Sequence, residues 1–281
     1  MRLAVIGATG VLGRHLVPRL VERGHAVCAT ARKEADLERL KRLGAEAVRA
    51  DIFDPPSLRA AVVNCDAAIH AATSIPTPGG GGEWAVNDRI RREGTANLLA
   101  ACRAERVRRY VQQSIAMLHI ATDARPQTED DPVGAYDRIR SALEMEQLVA
   151  QSELDWCILR GGAFYGPGTG RAEAWRSQAR GGVLILPGDG NGFISLIHVA
   201  DMAAAMVAVV ERGQPKQVYI AADDQPATYR DLLGYVAAME GAAPPGAGAP
   251  LMLPSFRVSN AKLKALGWAP AYPSFRSGLA A

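Results

Sequence analysis

The chain has 281 residues, enough for one large α/β domain with an appended lobe. Its 32 basic and 29 acidic residues leave a formal charge of +3, which gives no basic surface for nucleic acid. The longest apolar run, residues 202–210, is too short to cross a bilayer. The four cysteines lack the spacing of a zinc site or a redox dithiol, and no signal-peptide pattern opens the chain. We therefore expect a cytoplasmic protein with reduced thiols and without a metal, a nucleic-acid partner or a membrane contact.

A glycine-rich loop follows the first predicted strand. Residues 3–6 are apolar and lead into Gly7, Gly10 and Gly13, and a helix is predicted from about residue 11 to 23. Such glycines allow a sharp turn, a close approach of the backbone to a pyrophosphate, and tight packing of the helix on the sheet. The first N–H groups of the helix then face the anion. The loop predicts a bound dinucleotide. Its predicted cofactor contacts are Gly7, Thr9, Gly10, Val11, Leu12 and Gly13.

Short β-branched runs alternate with amphipathic helical stretches over the first 160 residues. The further predicted strands are residues 26–30, 46–50, 67–70, 107–112 and 156–159. The further predicted helices are residues 35–43, 55–63, 84–105 and 135–152. This alternation predicts an α/β fold, a Rossmann-type doubly wound parallel sheet in a dinucleotide-binding domain at 1–160. Glycine-rich turns predict a smaller C-terminal substrate-binding lobe at 161–281, with some later segments returning to the first domain.

The end of the second strand indicates which dinucleotide is bound. Enzymes that prefer NAD carry a carboxylate there, which accepts hydrogen bonds from the adenosine ribose. Here Arg32 and Lys33 stand at that point, and two cations suit the extra 2′-phosphate of NADP. The sequence therefore favours NADP over NAD, and the alternative is a solvated start to the next helix. Asp51, at the end of the third strand, is placed to meet the adenine, unless it only caps a turn.

These motifs resemble those of the extended short-chain dehydrogenase/reductase family, which includes nucleotide-sugar epimerases and dehydratases. The glycine loop matches the family's glycine motif, Asp51 and Ile52 its adenine contact, and His70-Ala71-Ala72 its turn after the fourth strand. Further matches lie at residues 94–99, 159–168, 198–201 and 266–270. The resemblance covers nearly the whole chain. It implies an NAD(P)-dependent oxidoreductase that acts on a small molecule and often forms a homodimer through its two long helices.

The resemblance also implies a catalytic serine or threonine and a Tyr-x-x-x-Lys pair. Ser114 matches the serine and Tyr136 the tyrosine, but Arg140 stands where the family has lysine. On a helix this spacing places Tyr136 and Arg140 on one face. Tyr136 would exchange a proton with the substrate oxygen, Ser114 would hydrogen-bond that oxygen, and Arg140 would activate Tyr136 and hold the nicotinamide ribose. The alternative is an ordinary helix face that has lost catalysis.

Two further departures concern the substrate. Nucleotide-sugar enzymes of the family bind the diphosphate with an asparagine where Ala163 stands, and often with an arginine where Ile194 stands. The predicted substrate contacts are Ile75, Trp84, Ser114, Ala163, Phe164, Tyr165 and Phe193. They favour hydride transfer between NADP and a small, largely apolar carbonyl or alcohol. A nucleotide-sugar epimerase or dehydratase, and a non-catalytic NADP-binding redox sensor, are the alternatives.

Overall fold

The computed structural model describes residues 1–76, 81–120, 125–134, 136–249 and 254–281. The strands are β1 (Arg2–Ile6), β2 (Ala26–Ala31), β3 (Glu46–Arg49), β4 (Ala67–His70), β5 (Arg109–Ile115), β6 (Asp155–Gly161), β7 (Ala163–Tyr165), β8 (Ile185–Pro187), β9 (Phe193–Ile194), β10 (Leu196–His198), β11 (Gln217–Ala221), β12 (Ala227–Thr228) and β13 (Gly246–Ala249). The helices are α1 (Val11–Glu22), α2 (Glu34–Arg42), α3 (Pro55–Val62), α4 (Trp84–Arg89), α5 (Thr95–Ala104), α6 (Arg140–Ala150), α7 (Arg171–Arg180), α8 (Val199–Arg212), α9 (Tyr229–Met239), α10 (Ala261–Lys264) and α11 (Phe275–Ala280).

Seven parallel strands form the main sheet in the order β3-β2-β1-β4-β5-β6-β11. Strand β1 shows why both faces are covered, because successive side chains of a strand point to opposite faces. Leu3 and Val5 pack with α1 and α8, whereas Ala4 and Ile6 pack with α3 and α5. The predicted Rossmann-type doubly wound sheet is confirmed. The strand order reverses between β1 and β4, and a crevice is expected at their carboxyl ends.

Two predicted helices differ from the observed ones. The helix expected at 84–105 is α4 and α5 joined by a π-helical segment, Ile90–Gly94, which holds one extra residue per turn. The helix expected at 135–152 begins only at Arg140, after a 3₁₀ turn at Asp137–Ile139. Residue 135 lies outside the described residues. Tyr136 has an extended backbone (φ −89°, ψ 170°), so Tyr136 and Arg140 do not share a helix face as expected.

The chain beyond β6 builds a second hydrophobic cluster and also returns to the main sheet. Three short strand pairs, β7 with β10, β9 with β12 and β8 with β13, join α7 and α9 around that cluster. In contrast, β11 is an edge strand of the main sheet and α8 packs on α1. The division at residue 160 and the homodimer both stay predictions. Within the described ranges, no helix is long and apolar enough to pass through a lipid bilayer.

Candidate active site

The glycine loop and the ends of β2 to β4 surround a cavity of about 180 Å³. Eight predicted cofactor contacts line it, namely Gly7, Thr9, Gly10, Arg32, Asp51, Ile52, Ala71 and Ala72. Arg32 lies at its exposed rim, with a guanidinium nitrogen 3.8 Å from a carboxylate oxygen of Asp51. The cavity therefore brings together the loop, a cation and an acid that the sequence placed on separate elements.

The three loop glycines have different surroundings. Gly7 has φ +91°, and a Cβ atom there would lie 2.5 Å from the backbone nitrogen of Ala72. A Cβ at Gly13 would lie 2.3 Å from the carbonyl oxygen of Gly7. Gly10 has φ −71°, and a Cβ there would meet only the Gly7 oxygen, at 3.4 Å. Gly7 and Gly13 are thus required by packing, whereas Gly10 keeps a space open at the start of α1. This cradle fits the pyrophosphate of a dinucleotide.

Two predicted cofactor contacts have other surroundings. Lys33 is exposed at the start of α2. His70 is 1% exposed, and neither ring nitrogen has a hydrogen-bond partner among the described residues. Burial lowers the pKa of His70 to about 4, so the ring is neutral at physiological pH. His70 therefore lies in the interior beneath the cofactor loop.

A larger cavity of about 470 Å³ adjoins the first, since Ala71 and Thr73 line both. Its walls include two more predicted cofactor contacts, Val11 and Leu12, and four predicted substrate contacts, Ile75, Trp84, Ala163 and Phe164. Strands β5 and β6 and helix α7 together contribute seven of the other residues in this wall. The two cavities are neighbours at the carboxyl edge of the sheet, and this crevice is where α/β enzymes of this topology bind ligands.

Ser114 lies on β5 with its side chain buried away from this crevice. Its Oγ donates to a carboxylate oxygen of Glu146 on α6, at 2.5 Å. The guanidinium group of Arg160 donates to the same carboxylate at 2.6 Å and lies 2.8 Å from Nε2 of His119. Burial and Arg160 lower the pKa of His119 to about 4. The neighbours of Ser114 in the strand, Gln113 and Ile115, line the larger cavity instead.

Tyr136 and Arg140 are also separated. Tyr136 packs against a small cluster that contains Ile115 and Ile139, both of which line the larger cavity. Its hydroxyl group is buried without a hydrogen-bond partner among the described residues, and burial raises its pKa. Arg140 is 57% exposed and donates to Asp137 at 3.0 Å. In the described part of the chain, no hydrogen bond joins any two of Ser114, Tyr136 and Arg140.

The last two predicted substrate contacts line neither of these two cavities: Tyr165 belongs to the second cluster, and Phe193 lies on β9. Tyr165 is fully buried and donates to the carbonyl oxygen of Ser274 at 3.2 Å. Phe193 lies 4.1 Å beneath the guanidinium group of Arg257. Sequence reasoning missed several residues of the cavity wall. These are Thr73, Arg91, Gln113, Ile115, Met117, Arg138, Ile139, Thr169, Arg171, Ala174 and Gln178. Some of them could have been found from their spacing in the sequence. Residues 171, 174, 175 and 178 recur at intervals of three and four, so they share one face of α7.

Comparisons with known proteins place the chain in a family. A profile of the NAD(P)H-binding family matches residues 7–212. A 3-diazoavenalumate denitrifying reductase from a Streptomyces species is 36% identical over 310 residues, covering 99% of each chain. A 2-alkyl-3-oxoalkanoate reductase from Stenotrophomonas maltophilia is 30% identical over 261 residues, covering 86% of this chain and 76% of the relative.

Solved structures show the same fold. A dTDP-glucose 4,6-dehydratase from Streptomyces venezuelae superposes with a TM-score of 0.86 at 23% identity, over 100% of this chain and 95% of the other. A UDP-glucose 4-epimerase from Thermus thermophilus gives 0.82 at 24% identity, over 99% and 96%. The glycine cradle, the sheet order and these matches agree. The chain belongs to the NAD(P)H-binding family, within the extended short-chain dehydrogenases/reductases, and is an NAD(P)-dependent oxidoreductase.

Proposed function

We propose that the protein reduces a small carbonyl compound with NADPH, or oxidises the corresponding alcohol with NADP⁺. The observation that carries this proposal is the shared wall of the two cavities at Ala71 and Thr73. A dinucleotide held by the glycine loop has room to extend from the smaller cavity into the larger one. When bound, the cofactor supplies or accepts a hydride. Apolar side chains such as Leu12, Met117 and Phe164 exclude water from the larger cavity.

The choice of NADP rests on Arg32. Its side chain is 74% exposed at the rim of the smaller cavity, free to bind a phosphate group bidentately. Lys33 follows on the exposed start of α2 and adds a second positive charge nearby. Asp51 lies 3.8 Å from Arg32 at the same rim, too far for a hydrogen bond.

Tyr136 is the proposed proton donor to the carbonyl oxygen. Its hydroxyl group is buried and unpartnered among the described residues, and it packs beside Ile115 and Ile139 of the cavity wall. Burial raises its pKa, which keeps the phenol protonated as a donor requires. Ser114 donates a hydrogen bond to Glu146 and Arg140 to Asp137, so we assign neither residue a direct part in the proton transfer.

The test measures NADPH oxidation by the purified protein across a panel of aldehydes and ketones. Tyr136→Phe should lower kcat by about 10²-fold, the usual worth of a positioned general acid. Tyr235→Phe is the matched control, because Tyr235 packs against Phe275 in the second cluster. Unchanged turnover in Tyr136→Phe would refute the proton-donor role. No NADPH consumption with any carbonyl compound would refute carbonyl reduction.

A second candidate is reduction of a diazo group, the activity named for the Streptomyces relative that covers 99% of this chain. A hydride added to a terminal diazonium nitrogen gives a neutral diazene, which loses N₂, so no alkoxide forms that needs a proton. The separation of Ser114, Tyr136 and Arg140 favours such a reaction. Release of N₂ from an aryl diazonium compound that carries a carboxylate, at a rate that Tyr136→Phe leaves unchanged, would support this candidate. Both relatives' named substrates, a diazoavenalumate and an oxoalkanoate, are carboxylates.

The two remaining alternatives differ from the proposed reductase in that neither consumes NADPH. A nucleotide-sugar epimerase regenerates its cofactor and shows no net change, and a redox sensor binds NADPH without turnover. Ala163 lines the larger cavity and Ile194 is buried, so neither supplies a donor for a diphosphate. Net NADPH consumption separates the proposed reductase from both.

A further inference from the structure

Three arginines line the larger cavity, although the rest of its wall is mostly apolar. They are Arg91, Arg138 and Arg171. Arg138 has an interaction of its own and carries no part of this argument. Neither Arg91 nor Arg171 has a carboxylate within ion-pair distance among the residues the structure describes. Withdrawing a guanidinium group from water is costly unless an anion lies near it. Asp88 reaches Arg91 only through Ser141, and in the described part of the chain no acidic side chain pairs with Arg171, so a ligand can supply the anion.

Arg171 begins the face of α7 that forms one wall of the cavity. Ala174, Trp175 and Gln178 follow on the same face, at intervals of three and four residues. The Arg171 guanidinium carbon lies 5.8 Å from the centre of the Trp175 ring. Burial lowers the pKa of Arg171, although it stays charged at neutral pH. This wall thus offers a cation beside an aromatic surface.

Arg91 belongs to the same cavity wall but lies far from α7 in the sequence, in the π-helical segment between α4 and α5. It is 5% exposed, and its Nη1 donates to Oγ of Ser141 at 3.1 Å. Ser141 in turn donates to Asp88 at 2.6 Å, which fixes the position of the Arg91 head group. Guanidinium carries five N–H donors, and Ser141 takes one of them. The other four form no hydrogen bond with the described residues.

We propose that Arg171 and Arg91 bind a carboxylate group of the substrate while Trp175 packs against its apolar body. This inference rests on the proposed function, since it describes the substrate of the same crevice. A guanidinium group pairs with one carboxylate through two parallel N–H···O bonds. The neighbouring wall of Ile75, Phe164 and Trp175 is apolar. A carboxylate on an apolar body therefore fits this cavity.

The test is isothermal titration of the NADP⁺-loaded protein with cinnamate, with cinnamamide as the neutral analogue and UDP as the diphosphate probe. Cinnamate should bind at least about tenfold more tightly than cinnamamide, the worth of one charge-assisted hydrogen bond. Arg171→Gln and Arg91→Gln should each weaken cinnamate binding about ten- to a hundredfold and leave cinnamamide unchanged. Arg180→Gln is the matched control, because Arg180 lies on the same helix, 60% exposed and paired with Glu240.

Equal affinities for cinnamate and cinnamamide, or no measurable binding of either, would overturn the proposal. So would wild-type affinity for cinnamate in both arginine variants. Tighter binding of UDP than of cinnamate, lost in Arg171→Gln, would show a diphosphate site instead. Thermal unfolding of each variant, with and without NADP⁺, separates loss of the subsite from loss of folding or of cofactor binding. Because titration needs no turnover, failure of carbonyl reduction leaves this result independent.

Discussion

Replacing Gly10 with alanine should remove most cofactor affinity and leave the protein folded. Gly10 has an ordinary backbone conformation, and a Cβ there would lie 3.4 Å from the carbonyl oxygen of Gly7, a normal contact. Alanine is a poorer N-cap than glycine, so we expect a cost of about 0.5–1 kcal/mol, or a shift in Tm of about 1–2 °C. The added methyl group fills the space at the start of α1 that the pyrophosphate needs. Loss of one charge-assisted bond there weakens binding about ten- to a hundredfold.

Gly13→Ala is the contrasting variant. A Cβ at Gly13 would lie 2.3 Å from the Gly7 carbonyl oxygen and 2.5 Å from the carbonyl carbon of Ala8. Both are backbone atoms, so helix α1 must shift away from the sheet. We expect a loss of about 3 kcal/mol or more in the free energy of unfolding, the range of severe overpacking.

Thermal unfolding by circular dichroism and NADPH titration by fluorescence measure the two effects separately. We expect low NADPH affinity with near-normal Tm for Gly10→Ala, and a large fall in Tm for Gly13→Ala. A well-folded Gly10→Ala variant that binds NADPH as tightly as wild type would refute the assignment of this loop to the pyrophosphate.

Three other substitutions test the charges of the structure. Arg32→Ala should weaken NADPH binding about ten- to a hundredfold and leave NADH binding unchanged, and equal losses for both would contradict the NADP preference. Glu146→Ala should lower the free energy of unfolding by about 3–5 kcal/mol in urea titrations, because it leaves Arg160, only 6% exposed, without its partner. Asp223 is 2% exposed, and burial raises its pKa from 3.8 to about 8. The folded protein therefore holds a proton that the unfolded chain releases, so stability falls as pH rises from about 4 to 8. Asp223→Asn should thus stabilise the protein by about 4 kcal/mol at pH 7 and by little near pH 4, whereas parallel pH profiles would contradict the shift.

The features that the sequence predicted well are local ones. The predicted strand at 67–70 coincides with β4, and the predicted start of the first helix at residue 11 coincides with that of α1. Both follow from short apolar runs that end in glycine or meet a clear change of periodicity. The doubly wound sheet follows from the regular alternation of such runs, which is why the fold class was accessible from sequence.

Features that depend on tertiary contacts were missed. An amphipathic pattern continues through residues 84–105, and nothing in it marks the π-helical turn at Ile90–Gly94. Arg91 in that turn stands beside Arg92, and Arg171 on α7 is a lone arginine before Glu173. Both have mixed-charge surroundings, so the sequence gives no reason to separate them from solvated arginines. Their importance comes from burial in one cavity, to which helices far apart in the chain contribute.

Ser114 shows how a small error in position changes the chemistry. The sequence placed this serine at the end of the fifth strand, and β5 does end at Ile115. Side chains of a strand alternate between faces, so a difference of one residue reverses the side to which a group points. Gln113 and Ile115 face the larger cavity, and Ser114 faces Glu146. An oxygen atom of a substrate at this position would therefore meet an isoleucine side chain where the sequence predicted a hydroxyl donor. Carbonyl reduction therefore depends more strongly on Tyr136 as the proton donor. Tyr136→Phe is thus the variant that best separates carbonyl reduction from hydride transfer to a group that needs no proton.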